Sequence, residues 1–196
     1  MDDIATIKNR IQASIETKQK LLANEALMQT IEKVVEESVK CFKNDGKLLF
    51  CGNGGSAADA QHLSAEFTGR FYKDREPLFS EALHVNTSYL TAVANDYSYN
   101  EIYSRLVKGK GRKGDILFGI STSGNSGNIV EAFKVCRERG ITTVGMTGEG
   151  GGKLKELSDF LINIPSTDTP RIQECHILVG HIICEMVEQK LFEVGK

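Results

Sequence analysis

The run from Lys47 to Glu66 constrains this chain most. It reads Lys-Leu-Leu-Phe-Cys-Gly-Asn-Gly-Gly-Ser-Ala-Ala-Asp-Ala-Gln-His-Leu-Ser-Ala-Glu. A short apolar run passes through a glycine cluster into a helical pattern, which reads as a buried strand, a tight loop and a helix. The loop presents backbone N–H groups and Ser56 at a helix N-terminus, where the partial positive charge suits an anion such as phosphate. The helix then carries His62 and Glu66 at i, i+4, on one face. An anion cradle beside a proton-handling or metal-ligating pair points to chemistry on a phosphorylated small molecule.

From Lys47 onward short apolar strands alternate with helical patterns. The strands are expected at Leu48–Cys51, Glu81–Val85, Asp115–Ile120, Thr142–Met146 and Phe160–Ile164. Helices are expected over 57–71, 87–94, 98–108, 127–139, 152–157 and 170–192. Such alternation, with near-continuous apolar strands, predicts an α/β fold whose parallel sheet is covered on both faces. Ahead of it, residues 3–45 are helical. Ile4, Ile7, Ile11, Ile15 and Leu22 recur at helical spacing, as do Leu27, Ile31, Val34, Val35, Val39 and Phe42. Two such helices carry more apolar stripe than one sheet edge needs, so helix packing between subunits is expected. The length suits one domain, 1–196, with helices over about 3–45 and an α/β core over about 47–196.

A net charge of −2 gives no electrostatic reason to expect nucleic acid. The basic run Lys108–Lys113 reads as a solvated turn before a strand. No apolar run approaches the roughly 20 residues of a membrane span. The acidic start Met1-Asp2-Asp3-Ile4 lacks a signal-peptide core. The expectation is a cytoplasmic protein away from membranes. Cys41, Cys51, Cys136, Cys175 and Cys184 include no CxxC pair and sit in apolar segments, as reduced, buried thiols do.

The strand at 115–120 runs into Ser121-Thr122-Ser123-Gly124-Asn125-Ser126-Gly127-Asn128. One hydroxyl would satisfy an N-cap. Four hydroxyls with two glycines make a second anion cradle. Gly52-x-Gly54-x-x-Ala57 loosely fits a dinucleotide fingerprint, but the second strand ends His84-Val85-Asn86, with no acid for a ribose hydroxyl. No Gly-Lys-Ser/Thr follows the glycines either, so no nucleotide cofactor is expected. The last helix carries a polar set, Arg171, Gln173, Glu174, His176 and His181, on an otherwise apolar pattern. Spacing does not rank His181 over His176.

Taken together, CGNGGSAADAQHLSAEFTGR, GISTSGNS and RIQECHILVGH, in this order and at these separations, resemble the sugar isomerase (SIS) domain family, in the branch that acts on heptose phosphates. The resemblance spans nearly the whole chain, including Ala94-Asn95-Asp96-Tyr97 and Met146-Thr147-Gly148. It implies a flavodoxin-like αβα sandwich with a five-stranded parallel sheet, preceded by two helices and assembled as a homotetramer with sites at subunit contacts. It implies a ketose–aldose isomerase that interconverts sedoheptulose 7-phosphate and D-glycero-D-manno-heptose 7-phosphate, the first step toward activated heptose for bacterial surface glycans such as lipopolysaccharide or capsule. By motif, Glu66 is the base and His181 the acid. His62, Glu66, Gln173 and His181 match positions that hold one zinc ion per subunit. Asn53, Gly54, Gly55, Glu66, Asn95, Asp96, Ser121, Thr122, Ser123, Ser126 and Gln173 match substrate-binding positions, to which the loop geometry adds Ser56. Where some relatives place an acid before Arg-Ile-Gln, this chain has Pro170, which suits the first turn of a helix.

Two geometric checks bear on that resemblance. Glu66 lies ten residues after Ser56, on the order of 15 Å along a helix, which accommodates a sugar with phosphate and carbonyl at opposite ends. Gln173 and His181 lie eight apart, on the order of 12 Å, so one ion takes both only if both side chains reach or the ligands come from different chains. The main rival is a non-catalytic regulator of the same fold that binds a replication-initiation protein. Such a protein lacks the glutamate and second histidine that this chain keeps as Glu66 and His181. A hexulose- or pentose-phosphate isomerase is the second rival.

Overall fold

A computed structural model describes residues 2–192; the expected domain span of 1–196 extends beyond them at both ends. Two helices, α1 (Asp3–Leu22) and α2 (Glu25–Lys43), precede a βα alternation. It comprises β1 (Leu48–Gly52), α3 (Gly55–Thr68), β2 (Ser80–Ala82), α4 (Thr87–Asp96), α5 (Ile102–Lys110), β3 (Ile116–Ile120), α6 (Gly127–Arg139), β4 (Thr142–Thr147), β5 (Phe160–Asn163) and α7 (Thr169–Phe192). The strands form one parallel sheet in the order β2-β1-β3-β4-β5, as the flavodoxin-like reading requires.

Both faces of the sheet are covered because the side chains alternate. Leu48, Phe50, Ile116, Phe118 and Ile120 pack with α2, α3 and α7. Leu49, Cys51 and Leu117 pack with α5 and α6 on the other side. Phe50 and Phe118 stack across the β1–β3 pair with ring centroids 4.7 Å apart. A turn at Asn44-Asp45-Gly46 ends α2, with Asp45 at φ 56° and the Gly46 N–H donating to Cys41 O.

The elements depart from sequence expectation mainly at their ends. The helix expected over 57–71 begins at Gly55 and stops at Thr68, before Gly69. The strand expected at Glu81–Val85 is only Ser80–Ala82. Asp115 stays outside β3 because its carboxylate accepts from the Lys47 and Arg112 backbone N–H groups and pairs with Lys47 Nζ at 2.6 Å. The stretch 98–108 splits into a 3-10 turn (Tyr99–Glu101) and α5. Residues 152–157, expected helical, form only a 3-10 turn at Gly152–Glu156, because Gly151 and Gly152 sit at positive φ where a continuous helix cannot form.

Candidate active site

Strand order reverses between β1 and β3, since β1 hands the chain toward β2 on one side and β3 hands it toward β4 on the other. Ligands of open α/β sheets sit in the crevice that this reversal opens at the carboxyl ends of the strands. Both glycine- and hydroxyl-rich loops emerge there. An amide pair joins them: Asn53 Nδ2 donates to Asn128 Oδ1 (3.0 Å), and Asn128 Nδ2 donates back to Asn53 Oδ1 (2.8 Å). Tyr99 Oη also donates to Asn53 Oδ1, and the buried Tyr103 hydroxyl bonds Gly52 O. Asn128 Oδ1 additionally accepts the Ile129 N–H, locking the first turn of α6 onto the β1 loop.

The helix starts in this crevice differ from those of α1, α2 and α4, as does that of α5, which also lacks a side-chain cap bond. Helices α1, α2 and α4 are capped by Asp2, Asn24 and Asn86, whose side chains accept a backbone N–H of the first turn. Neither α3 nor α6 has a side-chain cap bond. Gly54, at φ 56°, turns the chain into α3. Ser126 sits at the cap position of α6 but spends its hydroxyl on Ser121 Oγ, 2.9 Å away. In both helices the N-cap residue itself makes no side-chain bond to the first turn, although in α6 Asn128 Oδ1 takes the Ile129 N–H; N–H groups left at these starts suit an external anion.

The chemical centre lies further along α3. His62 Nε2 is 3.1 Å from Glu66 Oε1 and 3.0 Å from His181 Nε2. His62, Glu66 and His181 offer ligand atoms that all lie within 4.8 Å of one another. His181 comes from α7, which runs beside α3 in the same direction, as successive contacts show. Gln173 lies over Gly55, Gly180 over Leu63 and His181 beside His62. The approach is close: a β-carbon on Gly180 would come within 2.5 Å of the Leu63 side chain. Phe71 packs against His181 with ring centroids 5.7 Å apart. Two imidazole nitrogens and a carboxylate oxygen make a donor set that fits zinc. Gln173, the fourth expected ligand, lies on α7 eight residues before His181, with its side-chain amide over Gly55 at the start of α3.

The remaining expected residues are distributed as follows. Gly54 and Gly55 are exposed at the α3 start, whereas Ser56 is buried in its first turn. Ser121 is buried, Thr122 half-buried and Ser123 exposed, with Ser123 Oγ accepting the Asn125 N–H. Asn95 and Asp96 stand exposed at the end of α4, bonded to each other. His176 is separated from His181 by burial. Fully enclosed, it lies 3.1 Å from Thr147 O through Nε2, and burial pushes its pKa down to about 4. Burial likewise raises all five cysteine thiols, Cys41 and Cys136 to about 12, so none is poised as a nucleophile. Asn128 and Tyr99, which shape the crevice, were missed by sequence reasoning. Asn128 stood at the end of the quoted hydroxyl loop, but only the fold turns it toward Asn53.

Known proteins resemble this chain over nearly its whole length. Residues 11–148 match the SIS domain family. A phosphoheptose isomerase of Aneurinibacillus thermoaerophilus is 52% identical over 186 residues, covering 95% of this chain and 94% of the relative. Among solved structures, a phosphoheptose isomerase from Neisseria gonorrhoeae superposes with TM-score 0.89 at 42% identity, covering 94% of this chain and 98% of that one. One from Francisella tularensis gives TM-score 0.92 at 33% identity, covering 96% and 100%.

Proposed function

The chain belongs to the SIS domain family, among its phosphoheptose isomerases, and on that premise we propose that it interconverts sedoheptulose 7-phosphate and D-glycero-D-manno-heptose 7-phosphate. The observation that carries this reading is the meeting of Glu66 and His181, from different helices, around His62. The starts of α3 and α6, whose N-cap residues make no side-chain cap bond, lie at the neighbouring loops, where a phosphate would be held.

The residues divide the work by chemistry. The phosphate is held by the first-turn N–H groups of α3 and α6 and by the hydroxyls of Ser121, Thr122, Ser123 and Ser126, with Asn53 fixed between the loops by Asn128. Asn95, Asp96 and Gln173 bind the polyol. Glu66 removes a proton from C1 of the open-chain ketose as His181 protonates the C2 oxygen, giving an enediol. Glu66 then returns its proton to C2, while neutral His181 takes the proton from the C1 hydroxyl to leave the aldehyde. One proton has moved from C1 to C2, and both side chains regain their starting charge. His62, Glu66 and His181 are the residues that would hold zinc, with Gln173 supplied as the fourth ligand where subunits meet. When bound, the ion would polarise the carbonyl oxygen and favour the enediolate.

The assembly belongs to the same reading: a cytoplasmic, single-domain protomer in a homotetramer that serves activated-heptose synthesis. Ile4, Ile7, Ile11 and Leu22 are each more than half exposed along α1, a stripe too apolar for an isolated surface. Among the described residues no helix is long and apolar enough to cross a membrane.

The test is conversion of sedoheptulose 7-phosphate followed by NMR. Wild type is expected to turn over, and Glu66→Gln and His181→Ala are each expected to lose about 10²–10⁴-fold in kcat while keeping wild-type circular dichroism. A folded wild type that converts nothing, with or without added zinc, overturns the reading.

A further inference from the structure

Behind the proton-handling pair lies a buried ion pair that the chemistry above does not use. Arg75 Nε donates to Glu188 Oε2 at 3.1 Å, and both side chains are almost wholly buried. Each partner is saturated by backbone. Glu188 accepts the N–H groups of Phe71 (3.2 Å), Tyr72 (2.9 Å) and Lys73 (2.9 Å). Arg75 donates to the carbonyls of Glu66 (2.9 Å), Phe67 (2.7 Å), Gly69 (3.2 Å) and Glu76 (3.1 Å). The guanidinium therefore caps the last carbonyls of α3, where a cation complements the helix end. The carboxylate ties the following loop to α7.

Both ends of this clamp reach the site. One of its bonds falls on the backbone carbonyl of Glu66 itself. The loop held by Glu188 carries Phe71, whose ring lies on His181. Glu188 is two helical turns beyond His181 on α7, so one pair sets the end of α3 against α7 where Glu66 and His181 must meet. A buried ion pair contributes little net stability relative to apolar packing, because desolvation offsets the attraction. Its dense bonding is better explained by position than by stability.

We propose that Arg75 and Glu188 are positioning residues for the isomerisation: they fix the distance and angle between Glu66 and His181 without touching substrate. The proposal rests on the isomerase reading above. Its signature is a split in kinetics, because the phosphate-binding loops lie at the opposite end of α3. Arg75→Lys keeps the charge but loses the fork. It is expected to lower kcat on sedoheptulose 7-phosphate by about tenfold or more, with KM within about twofold, in protein whose circular dichroism matches wild type. Glu188→Gln, which turns an amide N–H toward backbone donors, is expected to show the same split. Wild-type kcat in either folded variant overturns the proposal. So does a loss shared equally by kcat and KM, or failure of both variants to fold, which would make the pair a folding element. Wild type assayed alongside separates the two readings. If it turns over no heptose phosphate, the isomerase reading fails, and the clamp is judged by amide exchange. In that case Arg75→Lys must speed exchange at residues 66–73 while leaving β1 and β3 protected, and unchanged exchange there overturns it.

Discussion

His176 and His181 are five residues apart on one helix and have opposite fates. His181 reaches His62 and Glu66 at the edge of α3. His176 is sealed in the core, where its Nε2–H donates to Thr147 O and leaves Nδ1 unpaired. The neutral form is the one this site tolerates. Its folded pKa of about 4 lies below the usual 6.5, so the unfolded chain binds the extra proton over that interval. The stability this histidine contributes is therefore present above pH 6.5 and is lost as pH falls toward 4, by about 3 kcal/mol if nothing else titrates. His84, whose pKa burial also lowers, acts with the same sign. Urea midpoints between pH 7 and pH 4 are expected to fall more steeply for wild type than for His176→Gln, whose amide can still donate to Thr147 O.

At the scale of elements, the site is a property of the α3–α7 pair. Parallel helices of different sequence position bring His62 and Glu66 to His181 because Gly180 lets α7 approach Leu63. A larger residue there must push the helices apart. Gly180→Leu is expected to destabilise the fold by about 1–3 kcal/mol through overpacking. It should also cost more activity than its folded fraction explains, since proton transfer depends on a separation of a few ångströms. Denaturant titration and kcat measured on the same preparation check both halves. The elements also explain the two loops. Asn128 and Asn53 hold the starts of α6 and α3 side by side through their paired amides.

At the scale of the whole molecule, one chain leaves apolar surface that its own fold does not cover. The α1 stripe is one part. A groove of about 450 Å³ between α1, α2 and α7, lined by Leu22, Met28, Leu178, Ile182 and Met186, is another. Subunit packing in the proposed homotetramer is expected to cover such surface. Ile7→Glu with Ile11→Glu places charges on positions exposed in the single chain, so the protomer is expected to keep its fold while sedimentation shifts to smaller species. If subunit contacts complete the site, activity falls with assembly. A double variant that stays assembled removes α1 from the proposed interface.

Much of this protein follows from its sequence because the relevant signals are local. The strand–glycine–helix run at Lys47–Glu66, the hydroxyl loop after Ile120 and the β/α alternation each depend on residues within a few positions of one another. They fix the class of fold, the positions of the glycine- and hydroxyl-rich loops and the His62–Glu66 pair. The ends of elements were less legible. Asp115 leaves its strand to bind Lys47, and the glycines at 151–152 reduce an expected helix to a single 3-10 turn. What only the tertiary structure decided is which distant groups meet. It chose His181 over His176, turned Asn128 onto Asn53, and set Arg75 and Glu188 behind Glu66. These outcomes depend on how α3, α6 and α7 pack on the sheet, and side-chain spacing along one helix carries no information about the direction from which another helix approaches.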